Sequence, residues 1–183
     1  TVESYIKALE MSNLIYLAKP MDVGSKGALK GKPKIFIADA AICSAVLMID
    51  DVLSDESELG AMVETTVYKH MLSFYQGSPA QLGYFRKARD NQKEVDVVAE
   101  LPRQKILCEV KYRNNSHIPA TDAIVELCQD QTTNVTNAFL ITKRLDDFGI
   151  TRHETAIPIL RVPAIAFLYM LGKAEALGHS GKL

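Results

Sequence analysis

Apolar residues recur with helical spacing in some parts of the chain and in short continuous or alternating runs in others, which divides the chain into predicted helices and strands. From residue 58 onward the predicted helices are 58–76, 119–131 and 163–177. The predicted strands between them are 82–86, 95–99, 105–112, 138–142 and 155–162. The order is helix, three strands, helix, two strands and helix, which predicts an α/β fold in which a mixed sheet is flanked by helices.

The first 50 residues follow a different pattern. Apolar spacing in residues 2–18 changes from helical to extended, and residues 19–34 contain five lysines and one acid among glycines and prolines. A predicted strand at 33–39 and a short predicted helix at 40–48 follow. A helix, a basic wing-like loop and a strand suggest the C-terminal part of a winged helix. An ordinary helix and hairpin with a solvated loop explains the pattern equally well.

An acidic stretch separates these two parts of the chain. Residues 50–64 contain six acids and no base, which marks a predicted boundary. The predicted organisation is therefore a winged-helix-like segment at 1–50 and an α/β domain at 51–183.

The composition is that of a soluble globular protein, with 48% hydrophobic residues, 23% charged residues and a formal net charge of −1. Such a charge creates no overall field for polyanions, so any nucleic-acid surface has to be a local patch. The three cysteines lack metal-site spacing and are expected to be free thiols in a reducing cytoplasm. The longest apolar run, 157–171, is interrupted by Arg161 and two prolines, so no membrane span is expected. Because the chain opens at Thr1 directly into a helical pattern, we expect a fragment of a longer protein.

Two short motifs carry the candidate chemistry: Glu-Val-Asp at 94–96 and Glu-Val-Lys at 109–111. A turn predicted at 101–104 joins their strands in a hairpin and brings Asp96 beside Glu109. Side chains alternate between the two faces of a sheet, so Glu109 and the lysine two residues later share one face, about 7 Å apart. Carboxylates placed so close together repel each other unless a cation lies between them. The pattern predicts a divalent-metal site with a lysine at its rim.

A third carboxylate lies on the predicted helix 58–76. The apolar arc of this helix consists of Leu59, Val63, Val67, Met71 and Phe74. Glu64 falls inside that arc, where a carboxylate is costly without a partner. A rim glutamate that extends to water explains the pattern, and so does a glutamate that points at the same centre as Asp96 and Glu109. The hairpin motifs favour the second interpretation.

Mg²⁺ and Mn²⁺ fit this set of residues, because hard cations prefer oxygen ligands. Such an ion supplies a nucleophilic water and relieves charge on the leaving oxygen in phosphodiester hydrolysis. Asp96 and Glu109 are the expected direct ligands, and Glu64 is expected to hold metal-bound water or a second ion. The carbonyl of Val110 would complete the shell. Lys111 would orient the attacking water or offset charge on the phosphate.

Glu109 and Lys111 are weak evidence when taken alone, because opposite charges commonly alternate along the exposed face of a strand. Here the strand 106–111 is apolar around the pair, which is typical of a central strand. Asp96 and Glu64 strengthen the interpretation further.

These residues resemble the pattern of the PD-(D/E)xK nuclease superfamily, which has the restriction-endonuclease-like fold. Asp96 matches the first acid of the motif, Glu109 the second acid and Lys111 the lysine. Glu64 matches the acid often found on the first core helix. Val95 stands where the motif has its proline, a position that the superfamily keeps only loosely.

A closer resemblance covers nearly the whole chain. The segments 33–39, 59–64, 84–86, 94–96 and 109–111 resemble, in this order, the uncharacterised C-terminal domain of archaeal and bacterial AAA+-type ATPases. The resemblance implies that a winged-helix segment precedes a nuclease-like domain. It also implies that an ATPase domain, which binds ATP, lies upstream of this chain.

The resemblance implies a metal-dependent nuclease domain that hydrolyses DNA and is driven or gated by the ATPase. The alternative is an inactive nuclease-like module that binds nucleic acid or a partner protein for that ATPase, and an oligomerisation domain is a third possibility. A discontinuous basic surface for phosphate contacts is expected from Arg86, Lys87, Arg89, Arg113 and the lysines of 19–34. The choice between DNA and RNA, the number of metals and the oligomeric state stay open.

Overall fold

The protein is described by a computed structural model that covers residues 1–23, 31–49, 51–87 and 93–179. The centre of the predicted basic wing and Arg89 lie outside these residues. No helix in the described ranges is both long and apolar enough to cross a membrane.

The described residues form both helices and strands. The helices are α1 Val2–Met11, α2 Ala40–Val46, α3 Glu56–Phe74, α4 Ala123–Gln129 and α5 Ala164–Ala176, with a short 3-10 helix at Gln131–Thr133. The strands are β1 Ile15–Pro20, β2 Lys34–Ile37, β3 Gln81–Arg86, β4 Glu94–Leu101, β5 Gln104–Lys111, β6 Val135–Thr142, β7 Gly149–Ile150 and β8 Ile159–Pro163.

The strands form one mixed sheet in the order β2-β1-β3-β4-β5-β6-β8-β7. Neighbours are parallel in the pairs β1–β3, β5–β6 and β6–β8 and antiparallel in the others. One face packs against α3 and α5, where Val67, Met71 and Phe167 are buried with the sheet residues Val97 and Cys108. α4 covers the other face. The predicted α/β fold, a mixed sheet flanked by helices, is confirmed.

The N-terminal segment is part of this sheet. β1 pairs with β2 in antiparallel fashion, and its end pairs with β3 in parallel fashion at Lys19 and Pro20. The hydroxyl of Tyr84 on β3 donates to the carbonyl of Lys32, 2.7 Å away, and fixes the chain just before β2. The strands β1 and β2, which lie within the predicted winged-helix-like segment 1–50, therefore belong to the same sheet as β3.

Two elements begin later in the structure than the sequence pattern predicts. The helix predicted from residue 119 begins at Ala123, because the Asp122 side chain accepts the amide hydrogen of Ile124 and caps the helix there. The strand predicted from residue 155 begins at Ile159, directly after Pro158, which has no N–H to contribute to a ladder.

The predicted hairpin is confirmed. β4 and β5 pair from Leu101 and Gln104 at the turn as far as Val97 and Cys108. Beyond this point β5 continues to pair with β6 up to Lys111, whereas its pairing with β4 stops. The two strands therefore separate at the end of the hairpin that carries both motifs.

The parallel contact between β1 and β3 depends on Gly83. A Cβ atom on this residue would collide with the carbonyl oxygen of Lys19 and with the Met21 side chain. We expect Gly83→Ala to lower the free energy of unfolding by about 2–4 kcal/mol, because a backbone oxygen cannot move aside as a flexible side chain can. Urea denaturation measures this change.

Gly172→Ala in α5 is the matched control for Gly83→Ala. A Cβ atom at Gly172 meets nothing within 4 Å. Alanine is the better helix former, so this substitution should raise the free energy of unfolding by about 0.5–1 kcal/mol. Equal stability of the two variants would contradict the tight β1–β3 contact.

Candidate active site

The site begins where β4 and β5 separate. Past the last paired residues, Val97 and Cys108, the backbone N–H of Val110 donates to the carboxylate oxygen Oδ2 of Asp96 at 2.8 Å. The Asp96 carboxylate thus replaces the backbone carbonyl that would accept this hydrogen bond in a regular sheet, and the Val110 N–H is not left unpaired. The same hydrogen bond holds the Asp96 carboxylate at the opening between the strands.

The four predicted site residues line one open cleft. Its volume is about 570 Å³, and it lies between the first half of α3 and the C-terminal end of β5. The lining residues are Glu56, Ser57, Gly60, Ala61, Glu64, Asp96, Glu109, Val110, Lys111, Tyr112 and Arg113. The helix that carries Glu64 begins at a fixed point, because the Asp55 side chain accepts the amide hydrogens of Ser57 and Glu58.

Glu109 is the most buried acid of the cleft, with 3% of its surface exposed. Its oxygen Oε1 pairs with the ammonium of Lys111. Its other oxygen, Oε2, is buried and accepts no hydrogen bond from any described residue. Burial raises the pKa of Glu109 well above its usual range, and the charge of Asp96 raises it further, while Lys111 opposes the shift.

Asp96 lies next to Glu109 and has a similar shift. Burial, followed by the negative charge of Glu64, raises the pKa of Asp96 to about 7. The charges of Lys34 and Lys111 and the hydrogen bond from Val110 oppose this shift without cancelling it. Burial and mutual repulsion therefore disfavour the ionised form of both neighbouring carboxyls, and a nearby positive charge would favour it.

Glu64 has a defined partner. Its oxygen Oε1 accepts a hydrogen bond from the Lys34 ammonium at 2.9 Å, and a quarter of its side chain stays exposed. Glu64 is also close enough to Asp96 to raise the pKa of that carboxyl. It therefore lies in the cleft beside Asp96 and pairs there with a lysine.

Sequence reasoning missed two residues beside the acids that line this cleft, Lys34 and Glu94. The Lys34 ammonium contacts Glu64 and Glu94 and lies 3.6 Å from the carboxylate of Asp96. Glu94 also pairs with Arg86. The spacing of Glu94 and Asp96, two residues apart on one strand, was a usable signal, because such residues tend to share a face. No local signal links Lys34 to acids 30 and more residues away.

A third missed residue is Asp122, the cap of α4. It is close enough to Glu109 to raise the pKa of that carboxyl further. It also helps to raise the pKa of Lys111 above its usual value, together with Glu109 and Asp96, although burial acts in the opposite direction. The start of α4 therefore adds negative charge on the side of the cleft where Lys111 lies.

The donor atoms fit a hard divalent cation in part. Asp96 and Glu109 offer buried carboxylate oxygens, one of them unpartnered, and oxygen is the donor that Mg²⁺ and Mn²⁺ prefer. In the described ranges, no three histidine, cysteine, aspartate or glutamate side chains converge as a ready metal centre. The structure thus provides a carboxylate pair, with Glu64 in the same cleft but held by Lys34.

Part of the predicted basic surface is paired with acids where the structure describes it. Arg86 pairs with Glu94, and Lys87 pairs with Glu126, as does Lys93. Arg113 is exposed at the rim of the cleft, where its guanidinium donates to the carbonyl of Asn115. Of the described arginines and lysines that were predicted to contact phosphate, Arg113 is therefore the one placed at the cleft opening.

The raised pKa of Asp96 predicts how stability depends on pH without metal. The folded-state pKa of about 7 exceeds the ordinary value of 3.8, so the ionised side chain opposes folding, and stability should fall as pH rises between these values. We expect Asp96→Asn to raise the free energy of unfolding at about pH 8, on the order of 2–4 kcal/mol, and to change little at about pH 4. Urea denaturation in the presence of a chelator measures both.

The control for this prediction is Glu10→Gln, which removes an exposed carboxylate from α1. It should leave the pH profile unchanged. A stabilisation by Asp96→Asn that is equal at both pH values would contradict the proposed burial of an ionised carboxylate.

Two protein-family models match the chain, and no curated protein does. A model described as Domain of unknown function (DUF8612) matches residues 1–53, which contain α1, β1, β2 and α2. A model described as Domain of unknown function (DUF4143) matches residues 59–162, more than half of the chain. This range contains the three predicted metal ligands and Lys111. The chain therefore belongs to the DUF4143 family.

Proposed function

We propose that this chain is a metal-dependent phosphodiesterase domain that hydrolyses DNA and works with an ATPase. The observation that carries the proposal is the pair of neighbouring carboxylates, Asp96 and Glu109, in which the buried oxygen Oε2 of Glu109 accepts no hydrogen bond from any described residue. Lys111 lies against Glu109 in the same open cleft. Two acids and a lysine at the separated ends of adjacent strands support membership of the PD-(D/E)xK superfamily.

The arrangement of elements also supports this proposal. The order α3-β3-β4-β5-α4-β6 places one acid on a helix and the other site residues on the central hairpin, as expected for a restriction-endonuclease-like domain. The antiparallel pair β1–β2 after α1 is compatible with the end of a winged helix. In the proposed protein, ATP binds only to the upstream ATPase domain, and the chain acts in the cytoplasm.

Asp96 and Glu109 would hold Mg²⁺ or Mn²⁺, and Glu64 would hold metal-bound water or a second ion. The bound ion would supply a nucleophilic water and offset charge on the leaving oxygen. The hydrogen bond from Val110 fixes Asp96, and the Lys111 ammonium pairs with Glu109, from where it would face a scissile phosphate that enters the cleft. The volume of the cleft, about 570 Å³, admits a sugar–phosphate unit.

The chain's own residues then prepare the phosphate for attack. Lys111 would counter the negative charge that grows on the phosphate oxygens in the transition state. Arg113, exposed at the cleft rim, would contact a neighbouring phosphate and set the register of the strand. Such a contact would position DNA without reading its sequence.

One observation favours a second candidate function. The Lys34 ammonium already lies among Glu64, Glu94 and Asp96, where it neutralises part of the negative charge. A lysine that permanently replaces the metal ion would leave a nuclease-like module without catalysis, which binds nucleic acid or a partner protein for the ATPase. Cleavage assays separate the two candidates.

The test is a cleavage screen with Mg²⁺ and Mn²⁺ on linear, nicked and branched DNA and on RNA. The wild-type chain should cleave a DNA substrate. Asp96→Asn, Glu109→Gln and Lys111→Met should each lower the rate at least about 100-fold, since each removes a group that acts on the transition state. Circular dichroism should show that each variant stays folded.

Two exposed substitutions serve as controls for this screen. Glu10→Gln removes a carboxylate and Lys69→Met an ammonium, both outside the cleft, and both variants should cleave at the wild-type rate. Full activity of Asp96→Asn and Lys111→Met would remove these residues from the mechanism. A wild-type chain that binds DNA without cleaving any substrate would support the inactive module instead.

A further inference from the structure

The Lys34 ammonium lies within 4 Å of three acids. It hydrogen-bonds to Glu64 at 2.9 Å, contacts Glu94, and lies 3.6 Å from the Asp96 oxygen Oδ1. Burial disfavours its charge, but Glu64 and Asp96, together with the hydrogen bonds, raise the pKa of Lys34 above its ordinary value. An ammonium is therefore held at the acidic wall of the cleft.

The surroundings of Lys34 are preorganised. The ammonium lies 5.3 Å from the centre of the Tyr84 ring, and the Arg86 guanidinium lies at the same distance from that ring. Tyr84 is buried, and its hydroxyl holds the carbonyl of Lys32, two residues before Lys34. An aromatic ring and an anchored backbone thus fix where the lysine enters the cleft.

The three contacts of Lys34 are unequal. The separation from Asp96 is the longest, and that carboxylate already accepts a hydrogen bond from Val110 on its other oxygen. A small rotation of the lysine side chain can therefore break the contact with Asp96 while Glu64 and Glu94 remain paired. Asp96 is also the acid that Lys34 would share with a bound metal ion.

We propose that Lys34 is an internal competitor of the divalent cation. Without metal, the Lys34 ammonium lies against the acids of the cleft, and it moves away from Asp96 when the ion binds there. This inference rests on the metal site of the proposed function and adds its regulation. The ammonium and the ion are both positively charged and repel each other, so each binds Asp96 less tightly when the other is close. The lysine holds the carboxylates together without metal and lowers the affinity for metal.

The position of Lys34 in the chain gives this competition a use. Lys34 is the first residue of β2, which pairs only with β1 at the end of the described sheet, whereas Asp96 and Glu109 lie on central strands. Coupling between two events is reciprocal. A partner that pulls β2 outward would free Asp96 for the ion, and an ion at Asp96 would loosen the hold on β2.

The experiment measures Mn²⁺ binding to the full chain by calorimetry for the wild type and for Lys34→Gln. Glutamine keeps a polar side chain of similar length without the charge. We expect Lys34→Gln to bind Mn²⁺ about tenfold more tightly, the effect of losing one close like charge. Lys34→Arg, which keeps the charge, should bind no more tightly than the wild type.

Two further variants make the result specific. Lys69→Gln removes an exposed positive charge from α3, outside the cleft, and should leave the affinity unchanged. Asp96→Asn combined with Lys34→Gln should lose the gain, because the competition is for Asp96. Equal affinity of the wild type and Lys34→Gln overturns the competitor and leaves the metal site intact. Failure of every variant to bind Mn²⁺ overturns the metal site and the competitor with it.

A measurement on the wild type covers the case in which Lys34→Gln does not fold. Nuclear magnetic resonance of lysine labelled at Cε follows Lys34 during a Mg²⁺ titration. Its signal should shift as Mg²⁺ binds, and the shift should disappear in Asp96→Asn. A Lys34 signal that stays fixed while Mg²⁺ shifts the backbone amide of Val110 overturns the proposal.

Discussion

The candidate site depends on the separation of β4 and β5 beyond Val97 and Cys108. If the two strands stayed paired, the N–H of Val110 would donate to a backbone carbonyl of β4. Here the Asp96 carboxylate accepts that amide hydrogen instead and stays at the opening beside Glu109. Two carboxylates of like charge thus lie side by side, which is unfavourable, and neighbouring positive charges offset part of their repulsion.

Two lysines provide the compensation from opposite directions. Lys111 lies two residues after Glu109 on the same strand and pairs with it, so the alternation of side chains along β5 determines that contact. Lys34 reaches Glu64, Glu94 and Asp96 from β2 and ties the N-terminal segment to the acids of the larger part of the chain. Burial raises the pKa values of Asp96 and Glu109 by more than these ammonium groups lower them. In the proposed function, a divalent cation would supply the further positive charge.

Local rules were enough to predict the hairpin and the α/β class, because apolar runs, turn residues and side-chain alternation are properties of neighbouring residues. The contact between Glu109 and Lys111 follows from the same alternation. The parallel pairing of β1 with β3 joins segments more than 60 residues apart, and no pattern in either strand encodes it. Lys34 was counted both with the lysines of the basic loop and in the predicted strand 33–39, and neither pattern links it to the acids, because only the sheet brings it to them. The start of α4 was missed because Asp122, which caps the helix, follows a proline that also suits a first helical turn.

The most direct measurement of the central claim is anomalous X-ray diffraction from crystals of the chain soaked in MnCl₂. We expect an anomalous peak between the carboxylates of Asp96 and Glu109. The Lys34 ammonium should have moved away from Asp96 and should still pair with Glu64. Absence of manganese from this position, with Asp96 still facing Lys34 and both carboxylates unchanged, would contradict the central claim.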